Sequence, residues 1–110
     1  MTGVWKLHDG TDFGAPCGSP IRAAARGRVV SITSSSDWGN RLVVDNGSGA
    51  AGHVLTAYNH AQGYTVAVGD VVASGEEIGA VGSTGHATGC HLHFQVWVDG
   101  RLVDPMTVLT

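Results

Sequence analysis

The sequence predicts an all-β domain of short antiparallel strands. Polar and apolar residues alternate strictly in HLHFQVWV (91–98), the signature of half-buried strand, and HVLTAYNH (53–60) reads as another alternating strand. Glycine fills 17 of the 110 positions, about twice its usual share, which implies many tight turns. No helix-period run exceeds a turn or two.

The elements follow in order. Pro20 to Ala24 reads as a short strand that turns at Arg26-Gly27 into a second, GRVVSIT. SSSDWG is a polar loop, NRLVVD is the next strand, and Asn46-Gly47 is expected to turn the chain. In HVLTAYNH, parity places Val54, Thr56, Tyr58 and His60 on one face and His53, Leu55, Ala57 and Asn59 on the other. Gly63 and Gly69-Asp70 bracket another short strand. GDVVASGEEIGAVGSTG carries glycines too close together for long strands, so it should run as short β pieces bent at each one. His86 to Gly89 is a loop before the last long strand. Asp99-Gly100 is then a hairpin turn, and Pro105 ends the pairing.

Length and charge bound the function. A chain of 110 residues is one small domain, 1–110, and buries a smaller share of its surface than a larger protein would. A formal charge of -3 leaves no basic patch to attract nucleic acid or an anionic membrane. No apolar stretch approaches the roughly eighteen residues that span a bilayer. MTGVWKLHDG lacks the basic and apolar regions of a secretory signal, so either export is arranged elsewhere or the chain is a domain excised from a longer protein. The expected state is monomeric. Cys17 and Cys90, far apart, fit a structural disulfide better than a Cys-x-x-Cys site; two buried thiols, or Cys90 as a metal ligand, are the alternatives.

The chemistry centres on His91-Leu92-His93. A strand rise of about 3.3 Å places the two imidazoles on one face, roughly 6.5 Å apart, with Leu92, Phe94, Val96 and Val98 on the other. One ring can then bind a metal while its neighbour reaches what the metal holds; a polar outer strand face is the plainer reading. Two histidines do not complete a zinc site, which takes four ligands. His8-Asp9-Gly10-Thr11-Asp12 offers two more, although an extended strand would hold their Cα atoms about 13 Å apart. The chain must bend between them, and Gly10 permits a bend; an Asx-turn in a polar loop is the alternative. His60, in Tyr58-Asn59-His60, ends a strand from which it can project beyond the sheet. His53, of opposite parity to His60, and His86, in a glycine-flanked loop, read as exposed or structural.

Together these segments resemble the lysostaphin-type zinc endopeptidases, which cleave peptides in bacterial cell walls, and the likeness runs almost end to end. HDGTDFGAPCGSPIRAAARGRVV is similar to that family's His-x-x-x-Asp motif with its following turn and strand, YNH to its central histidine, and GDVVASGEEIGAVGSTG with CHLHF to its glycine-rich stretch and terminal His-x-His. The resemblance implies an antiparallel β-sheet sandwich of the duplicated-hybrid-motif kind, with short strands and long groove-forming loops. It implies one Zn2+ per chain on His8, Asp12 and His93, and a catalytic pair of His60 and His91. His91 is expected as base and His60 as oxyanion stabiliser, with Tyr58 a weaker candidate nearby and Trp38, Asn40 and residues 86–89 along the groove. Some actinobacterial and phage relatives resemble the chain in pairing APCG with TGCHLH, which implies a Cys17–Cys90 disulfide and an extracellular, cell-wall location. The implied substrate is a peptidoglycan stem or cross-link peptide, with a directly cross-linked stem preferred. Ala61 stands where Leu is usual and Asn59 where a small residue is usual; neither removes a ligand. The rival readings are a non-catalytic wall-binding or hydrolase-activating module of the same fold, and a sugar-transport phosphocarrier, which would have no use for His-x-x-x-Asp.

Overall fold

Glycines and short polar turns cut the chain into strands, and the strands set the architecture. A computed structural model describes residues 3–7, 10–50, 52–84 and 89–104, with side chains from Asp12 onward. The strands are β1 (Gly3–Leu7), β2 (Gly10–Gly14), β3 (Pro20–Arg22), β4 (Gly27–Ser35), β5 (Gly39–Gly49), β6 (Gly52–Ala61), β7 (Gly63–Tyr64), β8 (Val71–Val72), β9 (Glu77–Ala80), β10 (His91–Val98) and β11 (Arg101–Val103). No helix occurs among the described residues. The large sheet runs β1-β2-β10-β6-β5-β4-β8, with β11 also on β10, and a small sheet runs β3-β9-β7; every pairing is antiparallel. This is the all-β antiparallel sandwich the sequence predicts.

Alternation determines what lies between the sheets. Leu42 and Val44 of β5, Tyr58 of β6, and Phe94 and Val96 of β10 turn inward against Ile21 of β3 and Ile78 of β9 in one continuous apolar core. The opposite face of the large sheet is unusual, because Asp12, Asn59, His93 and Gln95 are also buried there. A buried polar group needs a partner, and Asn59 supplies several: its amide donates to the His93 carbonyl at 2.9 Å and to Gln95 Oε1 at 3.1 Å.

Three local expectations need correction, and two strands were not expected at all. Asn46-Gly47 does not turn the chain: Asp45 faces Leu55 and Gly47 faces Val54, so Asn46 is the extra residue of a bulge and pairing continues to Gly49 opposite Gly52. Gly47 has φ +79° and donates its N–H to Asp45 Oδ1 at 2.8 Å, so the dipeptide's preference for positive φ is met within the strand. Gly10 is not the bend of the first motif, since β2 starts on it and pairs with β1, Leu7 opposite Gly10. The chain between Gly63 and Gly69 is strand only at Gly63–Tyr64. Finally, β1 and β2 themselves had no sequence signal, because GVWKL and GTDFG do not alternate cleanly. Asp99 and Gly100 do form the expected hairpin turn, with φ of 51° and 80° between Val98 and Arg101. Pro105 lies outside the described residues.

Cys17 and Cys90 are joined, Cα to Cα 5.2 Å across 73 residues of sequence, which removes the free-thiol and metal-ligand alternatives. The bridge lies just past the end of the β2–β10 ladder, where His91 faces Gly14. Loop-closure entropy gives it an upper value of about 4.5 kcal/mol. The paired substitution C17S/C90S is expected to lower the unfolding free energy by about 2–4 kcal/mol, read from urea denaturation; an unchanged midpoint would show that the bridge is not structural.

Candidate metal and catalytic site

The β2–β10 ladder places Asp12 directly opposite His93. Both side chains are buried, and His93 Nδ1 donates to Asp12 Oδ1 at 2.6 Å. Two residues earlier on the same strand, His91 brings Nε2 to 3.8 Å from the same carboxylate oxygen. Its Nδ1 is 3.0 Å from the Gly89 carbonyl, which can only accept, so Nδ1–H donates there and Nε2 is turned toward the site.

His60 reaches the same place by a local device. Between Tyr58 and Ala61, β6 holds one residue more than β5 does between Leu42 and Asn40, which makes a bulge, and His60 has φ +67°. Parity alone would put His60 with Tyr58 on the core face. Instead its ring lies 5.0 Å from that of His91 and 6.0 Å from that of His93, centroid to centroid. The main chain holds the bulge, as His60 N–H donates to the Trp38 carbonyl at 2.8 Å and Thr84 N–H to the His60 carbonyl at 3.3 Å. His60 Nδ1 donates to the Thr84 carbonyl at 2.6 Å, so this ring too presents Nε2. Burial lowers the His60 pKa from its ordinary value, against the Thr84 hydrogen bond, which raises it.

A ring stack walls the site. Trp38 lies on His93, centroids 5.7 Å apart and 18° from parallel. The Arg41 guanidinium lies over Trp38 on its other contact, at 5.2 Å, and over Trp97 at 5.1 Å. Partial burial lowers the Arg41 pKa.

Asp12, His60, His91 and His93 therefore converge. His8 and His86 lie outside the described residues. Tyr58 is not at the site: its hydroxyl accepts the Ala24 N–H at 2.9 Å and its ring lies 5.2 Å from Phe94 in the core. Asn40 is an anchor more than a groove wall, since its amide donates to the Ala61 and Gln62 carbonyls at 2.9 and 3.2 Å. His53 is exposed and pairs with Asp45 at 2.8 Å. Residues the sequence did not single out are Thr84, which acts through its main-chain carbonyl, together with Arg41 and Trp97; Gly89, in the 86–89 loop expected along the groove, also acts through its main-chain carbonyl. Tyr64 braces the site from behind, its hydroxyl 2.6 Å from the Tyr58 carbonyl and 2.7 Å from that of Asn40; burial pushes its pKa up and keeps the donor proton in place.

The donor set suits a divalent metal. A carboxylate oxygen and an imidazole nitrogen converge at 2.6 Å, a hydrogen-bond distance shorter than the roughly 3.3 Å between two ligands of one tetrahedral ion with bonds near 2.0–2.1 Å, so the pair would have to open slightly to share one. No three His, Cys, Asp or Glu side chains among the described residues make a complete cage.

Residues 6–105 match Peptidase family M23. The peptidoglycan DD-endopeptidase ShyB of Vibrio cholerae is 38% identical over 106 residues, covering 96% of this chain and 24% of that protein. A zinc-containing peptidase from Vibrio cholerae superposes with a TM-score of 0.83 at 38% identity, over 90% of this chain and 29% of that one. The catalytic domain of the antimicrobial peptidase lysostaphin from Staphylococcus simulans gives 0.83 at 35% identity, over 94% and 79%. The chain spans about a quarter of the length of the curated relatives it matches.

Gly39 tests how the His60 carbonyl partner is held. It has φ +64°, and a Cβ there would overlap Thr84. G39A is expected to cost about 2 kcal/mol or more and to shift the His60 ring resonances. G47A, equally strained at φ +79° but facing open space, should cost about 1 kcal/mol and leave those resonances unmoved. Equal costs, with His60 unaffected in both, would remove Thr84 from its positioning role.

Proposed function

The chain belongs to peptidase family M23, and from that premise we propose that it is the zinc-dependent endopeptidase domain of a peptidoglycan hydrolase, cutting D,D bonds in stem or cross-link peptides. The observation that carries this reading is the buried Asp12–His93 pair, with the His60 and His91 rings gathered on its open side. Asp12 and His93, with His8 as the expected third ligand, would hold one Zn2+. Zinc held there supplies Lewis acidity toward the scissile carbonyl and lowers the pKa of water.

The remaining work falls to the two other histidines. His91, with Nδ1–H fixed on Gly89, uses the lone pair on Nε2 to take a proton from the attacking water and later returns it to the leaving amine. His60, with Nδ1–H fixed on Thr84, donates from a protonated Nε2 to the oxyanion. Desolvation disfavours that proton in the free protein, and the negative charge developing on the substrate opposes the effect where it is needed. Trp38 excludes water from one side of His93 and fixes its ring plane.

Two further features support the setting. Relatives named as peptidoglycan DD-endopeptidases point to a cell-wall substrate, and a disulfide beside the site persists in an oxidising compartment such as the wall or periplasm. Both donors and both catalytic histidines being in place favours an enzyme over a wall-binding module.

Two substitutions separate the roles. D12A should lose bound zinc and turnover together. H91A should retain zinc by elemental analysis and lose turnover by about 10²- to 10⁴-fold. Zinc loss in H91A would make His91 a ligand and overturn the assignment. Mass spectrometry of fragments released from purified walls identifies the bond; stoichiometric zinc with no fragment from any wall type would sink the enzymatic reading.

A further inference from the structure

One charged side chain on the site face has no part in the chemistry above. Arg41 lies between Trp38 and Trp97, and Trp38 lies on His93, so the cation is two ring contacts of 5.2 and 5.7 Å from the proposed ligand. It is half-buried, and among the described residues it forms no ion pair; Asp12 and Asp45 are taken by histidines. Indole faces attract a guanidinium and offset part of its desolvation. They leave its in-plane N–H donors without a hydrogen bond among the described residues, because those donors point along the edge of the plane. Contact with two rings also restricts how the plane can turn. What remains is a charged fork presented edge-on beside the site, the geometry that takes a carboxylate through two parallel hydrogen bonds. An apolar side chain would fill the gap between the indoles without the cost of desolvating a charge.

We propose that Arg41 determines specificity by binding a free carboxylate of the substrate peptide within two or three residues of the scissile bond. The proposal rests on the endopeptidase reading. Extended peptide advances about 3.4 Å per residue, so the two ring contacts span that much substrate. A direct cross-link made through an amine whose own carbon bears a carboxylate presents an anion inside this span. A glycine bridge presents none. Arg41 therefore selects acidic, directly cross-linked peptides over glycine-bridged ones.

The test measures binding apart from cleavage. Zinc-loaded H91A protein, which holds peptide without turning it over, is titrated by calorimetry with a synthetic D-alanyl-diaminopimelate cross-linked peptide and with its carboxamide form. The carboxylate form should bind at least about tenfold tighter. Adding R41M should erase the difference, and R41K, which keeps the charge and loses the fork, should retain part of it. Equal binding of the two peptides by the H91A protein, or a preference that survives R41M, overturns the proposal. So does an R41M enzyme that cleaves both forms worse by the same factor, since that marks Arg41 as a clamp on Trp38 alone. If the unsubstituted protein binds the carboxylate form preferentially but cleaves neither, the endopeptidase reading fails and the role of Arg41 stands.

Discussion

A carboxylate removed from water must be met by a proton or a cation, and in this chain that requirement falls on Asp12. Its oxygen lies 2.6 Å from His93 Nδ1 with both groups buried, and the strand pairing of β2 with β10 is what places them there. Much of the surrounding structure serves that pair. The disulfide closes the ladder just beyond it, Trp38 covers the imidazole, and Asn59 holds the carbonyl of His93 itself. On the proposed reading, these are also the two side chains that would hold the metal.

The proposed catalytic histidines are positioned differently from His93, the proposed ligand. His93 is set by a side chain, whereas His60 and His91 are set by the carbonyls of Thr84 and Gly89. A carbonyl fixes the tautomer without adding a formal charge. Both rings thus turn Nε2 toward the site while the Asp12 carboxylate stays with His93. The arrangement makes ring geometry depend on loop geometry. Gly39, which no side chain could replace without meeting Thr84, ties the β4–β5 turn to the segment that carries the His60 partner.

Strand identity was legible where period and turn chemistry agree. The β10 alternation, the Asp99-Gly100 turn and the glycine-bent stretch around β8 and β9 are local patterns, and local patterns survive folding. The histidine and aspartate positions were legible as motifs. What could not be read was set by tertiary pairing. GTDFG becomes a strand because β1 and β10 flank it, not because of its own pattern. His60 changes face because a bulge opposite Leu42 and Asn40 breaks the two-residue period that parity reasoning assumes. Asn46-Gly47 carries a turn signal that the strand absorbs as a second bulge. Thr84 acts through a main-chain atom, which side-chain identity does not reveal, and Trp97 meets Arg41 only because β5, β6 and β10 lie side by side.

A small domain has little stability to spare, and this one buries polar groups on one face of its main sheet while building its core on the other. Asn59 shows how tightly the two are coupled: its amide nitrogen serves His93 and Gln95, while its side-chain oxygen is buried without a hydrogen-bond partner among the described residues. A small apolar residue there would relieve that oxygen but release the His93 carbonyl and one side of Gln95. Substitutions that perfect the fold can therefore loosen the site, because the polar layer fixes the geometry of His93, the proposed metal ligand. The disulfide resolves part of this tension. It constrains the unfolded chain and so adds stability without altering the polar layer, and it does so at the end of the sheet where β2 and β10 must stay in register.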